Sequence, residues 1–234
     1  MYLDLMKRAL SGWLHADDSF DPGLREKGGD WPENAQTMIG LQRLDNLQFC
    51  VEDALASGVP GDLIETGVWR GGATIFMRAI LKAHGIENRR VWVADSFEGL
   101  PPPDHERYPQ DRGDTFHTFD QLAVSVEQVR ANFERYGLLD DQVGFLKGWF
   151  RDTLPEAPTE RLAVVRLDGD MYESTMDALV NLYPKLSVGG YLIVDDYGAV
   201  PTCRQAVHDY RAAHEVHEEL RPIDWTGVFW QRSR

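Results

Sequence analysis

Cysteine is scarce in this sequence, and long apolar runs are missing from it. The two cysteines, Cys50 and Cys203, are too few for a disulfide scaffold or a cysteine-rich zinc site. No apolar stretch approaches the roughly 18 residues that a membrane-spanning helix needs. The first residues also lack the basic-then-apolar order of a secretory signal peptide. These absences predict a soluble, cytoplasmic protein.

Positive charge is also in short supply. The chain has 24 Lys and Arg residues against 38 Asp and Glu residues, which gives a formal net charge of −14. Nucleic-acid binding depends largely on cationic neutralisation of phosphates, and anionic membrane surfaces attract basic patches. The acidic balance therefore argues against both kinds of partner. With 234 residues and 43% apolar residues, the chain is within the range of one α/β domain, and we expect an enzyme that acts on a small molecule.

Short apolar runs rich in Val, Ile and Leu alternate with helical stretches along the middle of the chain. Such runs are typical of parallel strands buried on both faces, and the alternation is typical of a doubly wound α/β sheet. Two closely spaced runs near the C-terminus predict an antiparallel hairpin. The predicted strands are 63–64, 91–94, 143–146, 162–167 and 191–194, with the hairpin at 220–223 and 227–231. The predicted helices are 37–57, 73–84, 125–136, 174–186 and 202–216.

Two segments fall outside this pattern. Residues 1–36 are poorly periodic, and we expect a lid or oligomerisation segment there, ahead of a catalytic domain at 37–234. Residues 96–122 have no helical or strand periodicity and are too long for an ordinary connection. Aromatic residues in this segment, among them Tyr108 and Phe116, favour an acceptor-binding loop. The alternative is a solvated insertion.

A glycine turn follows the first predicted strand. Gly67 permits a sharp backbone turn, and Gly71 lets the next helix begin close to a ligand. The spacing is not the G-x-G-x-x-G of dinucleotide-binding proteins. Asp95 ends the second predicted strand. In nucleotide-binding sheets an acidic residue at this position accepts hydrogen bonds from ribose hydroxyls. The alternative is that Asp95 caps a turn. Together these features predict a nucleoside-containing cofactor.

Two aromatic residues, Trp149 and Phe150, follow the third predicted strand. At the carboxyl edge of the sheet they are candidates for clasping an adenine ring. They are equally good candidates for packing in the core.

Three aspartates follow two further predicted strands. Asp168 ends the fourth, and Asp195 and Asp196 end the fifth. Because adjacent strands are about 4.8 Å apart, these carboxylates should converge and raise one another's pKa unless a cation is present. Oxygen ligands suit Mg²⁺, and no His or Cys lies at these strand ends to favour zinc. The sequence therefore predicts a magnesium site; the alternative is that one or two of these residues cap helices.

In combination, these segments resemble the macrocin O-methyltransferase family from about residue 37 onwards. The resemblance implies a class I S-adenosylmethionine-dependent methyltransferase fold and methylation of a sugar hydroxyl on a glycosylated natural product. It also implies a homodimer or higher homo-oligomer. The matching segments are 37–40, 43–47, 65–72, 95–101, 166–175 and 194–197.

The resemblance also implies roles for individual residues. Glu65, Thr66 and Gly67 would line the methionine end of S-adenosylmethionine, and Asp168, Asp195 and Asp196 would bind Mg²⁺. Met38 would lie near the acceptor pocket. The residues implied to hold the nucleoside are Asp95, Ser96, Phe97, Trp149 and Phe150.

The expected mechanism is methylation of a sugar hydroxyl whose pKa is lowered by Mg²⁺. Asp168 is the first candidate for the base that removes the proton, and Asp170 is the alternative. Three other functions stay open at this point. They are a Mg²⁺-dependent O-methyltransferase for phenols or catechols, a NAD-dependent oxidoreductase, and a binding protein that retains the fold without chemistry.

Overall fold

Five parallel strands form most of a seven-stranded sheet, and two C-terminal strands complete it at one edge. The computed structural model describes residues 1–15 and 20–234. The strands are β1 (Asp62–Thr66), β2 (Val91–Asp95), β3 (Val143–Lys147), β4 (Leu162–Leu167), β5 (Leu186–Val194), β6 (Arg221–Pro222) and β7 (Val228–Gln231). Their order in the sheet is β3-β2-β1-β4-β5-β7-β6. Strand β7 runs antiparallel to both β5 and β6, so the predicted parallel sheet with a C-terminal antiparallel hairpin is confirmed.

Helices cover both faces of this sheet. They are α1 (Tyr2–Leu10), α2 (Pro22–Lys27), α3 (Gly40–Ala56), α4 (Gly72–Ala83), α5 (Val126–Arg135), α6 (Phe150–Thr153), α7 (Tyr172–Leu182) and α8 (Pro201–Ala213). Helix α3 begins three residues later than predicted, because the Thr37 hydroxyl accepts a hydrogen bond from the Ile39 amide and Gly40 has a positive φ of 73°. Helix α7 ends at Leu182, where a 3-10 turn containing Pro184 follows.

Residues alternate along the central strands between two apolar cores. Leu63 and Val93 belong to the core that includes α1, α3, α4 and α5. Ile64 and Val165 belong to the core that includes α7 and α8. This burial on both faces is the reason that the strands appear as continuous apolar runs in the sequence.

The N-terminal helix is part of the domain core. Met6 and Leu10 of α1 are buried in the same cluster as α4. Within the predicted N-terminal segment 1–36, residues 16–19 lie outside the described residues. The described part of this segment packs on the rest of the chain, and its role as a lid or oligomerisation segment stays a prediction. Among the helices of the described residues, none is both long enough and apolar enough to cross a membrane.

The turn between β1 and α4 depends on a glycine with no room for a side chain. Gly67 has a φ of 82°, and a Cβ at this position would overlap the carbonyl oxygen of Asp168, at the end of the neighbouring strand. The close approach of these two backbones brings the ends of β1 and β4 together. Gly67 is therefore required by packing as well as by backbone conformation.

We expect Gly67→Ala to lower the free energy of unfolding by about 4 kcal/mol or more, because strain and a backbone clash combine. Gly58→Ala is the matched control. Gly58 has a similar φ of 66°, but its Cβ would meet open space, so the loss should be about 1 kcal/mol. Urea denaturation measures both values. Equal losses in the two variants would show that the close approach to Asp168 is unimportant.

Candidate active site

A cavity of about 320 Å³ opens at the carboxyl ends of the parallel strands. It lies over β1 and β4, where the strand order of the sheet reverses direction. Open α/β sheets bind ligands at this position, because the connections on the two sides of the reversal lead away from each other and leave a crevice. The cavity wall includes residues that follow β1, β2, β3, β4 and β5.

Three carboxylates converge on the floor of this cavity. One oxygen from each of Asp168, Asp195 and Asp196 lies within 4.8 Å of the other two. Asp195 and Asp196 are buried, whereas the Asp168 side chain is 25% exposed. The structure therefore brings the sequence-predicted trio together and leaves it accessible from the cavity.

Two buried arginines neutralise part of this negative charge. Arg166 of β4 has a side chain only 1% exposed, and its Nη1 donates to Glu65 Oε1 at 2.5 Å and to Asp168 Oδ2 at 2.6 Å. Its other terminal nitrogen, Nη2, donates to Asp195. Arg43 of α3 donates to the other Asp195 carboxylate oxygen, and through Nε to Asp224 at 2.9 Å. A single guanidinium, that of Arg166, thus links the end of β1 to the carboxylates at the ends of β4 and β5.

The sequence reasoning missed these arginines because it counted only the acids. A positively charged residue within the apolar run 162–167 was the available signal. A fully buried Arg must be paired, so Arg166 pointed to acidic partners on the neighbouring strands.

Burial keeps the pKa of several site carboxyls high despite the arginines. Desolvation raises the pKa of Glu65 to about 8. Desolvation, followed by the charge of Asp195, raises the pKa of Asp168 to about 6. Desolvation and the neighbouring Asp168 raise the pKa of Asp170 to about 8. The pKa of Asp196 is also raised, first by desolvation and then by Asp170. The cluster therefore favours either bound protons or an added cation.

The donor set at the cluster fits Mg²⁺. All of its ligand atoms are carboxylate oxygens, which are hard ligands of the kind that Mg²⁺ prefers. The two guanidiniums leave an excess of negative charge over positive charge, which a divalent cation would balance. Asp168, Asp195 and Asp196 are therefore the residues that would hold it.

Asp95 connects two turns at the edge of the cavity. Its Oδ2 accepts from the Val68 amide at 2.7 Å, and its Oδ1 accepts from the Phe97 amide at 2.7 Å. Burial raises its pKa, and these two backbone donors oppose that rise. The Ser96 hydroxyl also lies 3.4 Å from Oδ1, and the roughly four lone pairs of a carboxylate leave room for a further donor. Asp95 therefore fixes the turn after β1 and still lines the cavity.

Most of the predicted site residues meet in this cavity. The predicted site residues among those that line it are Met38, Glu65, Gly67, Asp95, Ser96, Phe116, Trp149, Phe150, Asp168, Asp170, Asp195 and Asp196. Trp149 and Phe150 thus face a ligand space as well as the protein. The buried Glu65 carboxylate has one oxygen, Oε2, with no hydrogen-bond partner among the described residues, so its hydrogen-bonding capacity is not used up by Arg166. A cationic amino group on a cofactor would be a suitable donor for this oxygen.

Four predicted site residues do not line the cavity. Thr66 is buried at the end of β1, and Gly71 lies against Val129 of α5. The Phe97 ring packs in the core against Phe145, with 6.3 Å between ring centroids, and its backbone has a positive φ of 58°. The Tyr108 hydroxyl donates to Asp177 at 3.2 Å. These four residues therefore contact other parts of the protein and not the cavity, and their roles toward cofactor or acceptor stay predictions.

The long segment 96–122 is tied to the start of α7. Asp111 is buried, and its two carboxylate oxygens accept from the amides of Tyr172 at 2.8 Å and Glu173 at 2.9 Å. Charge of this kind at a helix N-terminus is favourable. Both ends of the segment and Phe116 contribute to the cavity wall. The segment is therefore packed onto the domain, which favours the binding-loop interpretation over a solvated insertion.

Left-handed backbone is concentrated around this cavity. Four described residues other than glycine have a positive φ, and three of them, Trp69, Phe97 and Asp170, follow β1, β2 and β4. Such conformations cost energy and persist where the surrounding structure enforces them. At Asp170 the amide donates to Asp196 Oδ2 at 3.1 Å, which holds the strand end in this conformation.

Comparison with known sequences identifies relatives over the whole chain. A family model for macrocin-O-methyltransferase matches residues 2–232. The 8-demethyl-8-(2,3-dimethoxy-alpha-L-rhamnosyl)-tetracenomycin-C 4'-O-methyltransferase of Streptomyces olivaceus is 59% identical, and the match covers 100% of this chain and 93% of that protein. The demethyldecarbamoylnovobiocin O-methyltransferase of Streptomyces niveus is 54% identical, with 100% and 94% covered.

Solved structures agree with these matches. The O-methyltransferase NovP matches with a TM-score of 0.97 and 55% identity, over 100% of this chain and 98% of that chain. The calicheamicin methyltransferase CalS11 matches with a TM-score of 0.64 and 20% identity, over 97% and 91% of the two chains, and shows the shared fold alone. The prediction of a methyltransferase is confirmed over the oxidoreductase and non-catalytic alternatives. The chain belongs to the macrocin O-methyltransferase family, and it is an S-adenosylmethionine-dependent O-methyltransferase with a class I methyltransferase fold.

Proposed function

We propose that this enzyme methylates a sugar hydroxyl of a glycosylated natural product, with Mg²⁺ bound at the carboxylate cluster. The observation that carries the proposal is the convergence of Asp168, Asp195 and Asp196 beside the cavity of a methyltransferase fold. The name of the Streptomyces olivaceus relative includes a dimethoxy-rhamnosyl group, which supports a sugar acceptor. An acceptor with neighbouring hydroxyls suits a metal site that retains open coordination positions.

Each group supplies a different part of the chemistry. S-adenosylmethionine supplies an electrophilic methyl group when bound. Mg²⁺, when bound, lowers the pKa of a coordinated hydroxyl. Glu65 would bind the amino group of the methionine portion, Asp95 the ribose hydroxyls, and Trp149 with Phe150 the adenine. The protein's own contribution is to place the acceptor oxygen and to accept its proton.

Of the two candidate bases, we favour Asp170. The Asp168 carboxylate accepts a hydrogen bond from Arg166 at 2.6 Å and belongs to the proposed metal trio, so part of its acceptor capacity already has another use. No group among the described residues donates a hydrogen bond to the Asp170 carboxylate, which lines the cavity. Burial, followed by the charge of Asp168, raises its pKa above the ordinary value of an aspartate, which is the direction that suits a general base. An Asp170 carboxylate oxygen would take the hydroxyl proton.

Calorimetry and product analysis test the proposed function together. Micromolar binding of S-adenosylhomocysteine, with no binding of NAD, is expected for this cofactor site. Incubation of glycosides with trideuteromethyl-labelled S-adenosylmethionine should place the label on a sugar oxygen, in a reaction that stops in EDTA and resumes with Mg²⁺. Full activity in EDTA would exclude the metal role, and label on a phenolic oxygen would point to the phenol or catechol alternative.

A pH-dependent stabilisation by Mg²⁺ is expected without any acceptor. The folded-state pKa values of Asp168 and Asp170, about 6 and about 8, lie above the unfolded value of 3.8. The metal-free fold therefore binds protons that the unfolded chain has lost, and its stability falls as pH rises between about 4 and 8. Metal ligation requires deprotonated carboxylates, so Mg²⁺ should raise Tm more at pH 8 than at pH 6.

The size of this effect follows from mass action. Mg²⁺ at about 100 times its Kd adds about 2.7 kcal/mol, or about 5 to 10 °C in Tm for a chain of this length. Differential scanning fluorimetry measures the shift, and Asp196→Asn is the control that should lose it. A shift that is absent at pH 8, or unchanged in Asp196→Asn, would contradict a metal site at this cluster.

We further expect the chain to form a homodimer or higher homo-oligomer, to act in the cytoplasm and to bind no nucleic acid. Light scattering after size-exclusion chromatography measures the first property. A monomer at micromolar concentration would contradict it.

A further inference from the structure

Two exposed tryptophans stand at the mouth of the active-site cavity. Trp31 is 50% exposed and Trp225 is 56% exposed, and both contribute to the cavity wall. Other exposed large apolar side chains, such as Phe49 and Val188, do not line this cavity. Half-exposed indoles at a cavity mouth offer large apolar faces to the part of a bound ligand that extends out of the cavity.

Hydrogen bonding and packing hold both indoles in place. The Trp225 Nε1–H donates to the Lys27 carbonyl at 2.9 Å, so the part of the ring that remains exposed is hydrocarbon. Trp31 packs edge-to-face on Phe119 with 6.3 Å between ring centroids. Phe119 packs in turn on Phe116 at 5.8 Å, and Phe116 lines the cavity. Rigid aromatic surfaces of this kind bind at a low cost in conformational entropy.

Trp225 lies close in space to the carboxylate cluster. Trp225 precedes Thr226, whose hydroxyl donates to the Asp195 carbonyl at 2.9 Å. If a ligand is bound at Asp195 and Asp196, the part of it that extends out of the cavity therefore passes next to Trp225. The cavity thus has a charged, oxygen-rich floor and an apolar aromatic mouth, a polarity that matches a sugar attached to an apolar ring system.

We propose that Trp31 and Trp225 form an aglycone platform, a subsite that binds the apolar ring system of the acceptor while its sugar occupies the cavity. This inference rests on the proposed glycoside acceptor. It adds the chemical class of the aglycone, which is an apolar ring system. The platform makes the enzyme prefer glycosides of flat apolar aglycones over simple alkyl glycosides.

Binding of two model glycosides tests the platform. The probes are 4-methylumbelliferyl α-L-rhamnopyranoside and methyl α-L-rhamnopyranoside, titrated into the full chain with and without S-adenosylhomocysteine and Mg²⁺. We expect the aryl glycoside to bind about tenfold more tightly, because it stacks on the indoles. Trp31→Ala and Trp225→Ala should remove this preference, and Trp31→Phe and Trp225→Phe should retain most of it. Phe49→Ala, an exposed aromatic outside the cavity, is the matched control and should retain all of it.

The outcomes separate this inference from the proposed function. A wild-type enzyme with no aryl preference, or alanine variants that keep it, would overturn the platform. A change of oligomeric mass in the alanine variants would overturn it in favour of an interface between copies of the chain. Because the readout is binding and not turnover, an enzyme that binds the aryl probe through the tryptophans yet methylates no glycoside contradicts the proposed function alone.

Discussion

Asp170→Asn is expected to lower kcat about a thousandfold, the typical contribution of a general base. The amide cannot accept the hydroxyl proton, and it is nearly the same size as the carboxylate. The change leaves Asp168, Asp195 and Asp196 in place. We therefore expect the affinity for S-adenosylhomocysteine and the Mg²⁺-dependent rise in Tm to remain.

Asp168→Asn distinguishes the base from the metal ligand. This variant should also lose turnover and keep its affinity for S-adenosylhomocysteine, but it should lose the Mg²⁺-dependent rise in Tm. Single-turnover rates and fluorimetry, measured on both variants, give the comparison. Full turnover in Asp170→Asn together with an inactive Asp168→Asn would assign the base to Asp168. Unchanged turnover in Asp168→Asn would contradict its assignment as a metal ligand and would also exclude it as the base.

Arg166→Met is expected to lower the free energy of unfolding by about 3 to 5 kcal/mol, the usual cost of removing one partner from a buried ion pair. Glu65, Asp168 and Asp195 would all lose their shared guanidinium. Methionine fills a similar volume, so the loss is mainly electrostatic. Saturating Mg²⁺ should restore part of the stability, because the cation replaces the missing positive charge at two of the three carboxylates.

Arg78→Met is the control for this change. Arg78 donates to Asp140 at 2.6 Å, but the Asp140 side chain is 40% exposed and keeps contact with water. Its removal should cost about 1 kcal/mol. Urea denaturation measures both variants in EDTA and in Mg²⁺. Similar losses for the two arginines, or no effect of Mg²⁺ on Arg166→Met, would show that the carboxylate cluster does not depend on this guanidinium.

Local sequence patterns predicted the sheet and the acidic site. The central strands are buried on both faces, so each one appears as an uninterrupted apolar run, as at 162–167. Parallel strands end at the same edge of a sheet, so Asp168 and Asp195 could be placed together without a structure. The glycine turn at Gly67 was visible for a similar reason, since the conformation and the close approach of β4 both exclude a side chain.

Other features depend on contacts between distant parts of the chain. Arg43 reaches Asp195 from a helix that precedes the first strand, and Asp111 accepts from the start of α7 across 61 residues. Trp31 and Trp225 meet at one cavity although they lie near opposite ends of the chain. No local periodicity signals such pairings, because tertiary packing sets them. The packing of the Phe97 ring on Phe145 is another such contact, which joins residues 48 positions apart.

Titration of Mg²⁺ into the S-adenosylhomocysteine complex tests the central claim most directly. Calorimetry of the wild-type chain should show one Mg²⁺ site per chain, with heat that depends on the buffer because protons are released from the carboxylates. The same titration of Asp196→Asn should show a large loss of affinity. Absence of Mg²⁺ binding in the wild-type complex, or equal binding in the two proteins, would contradict a metal site at Asp168, Asp195 and Asp196.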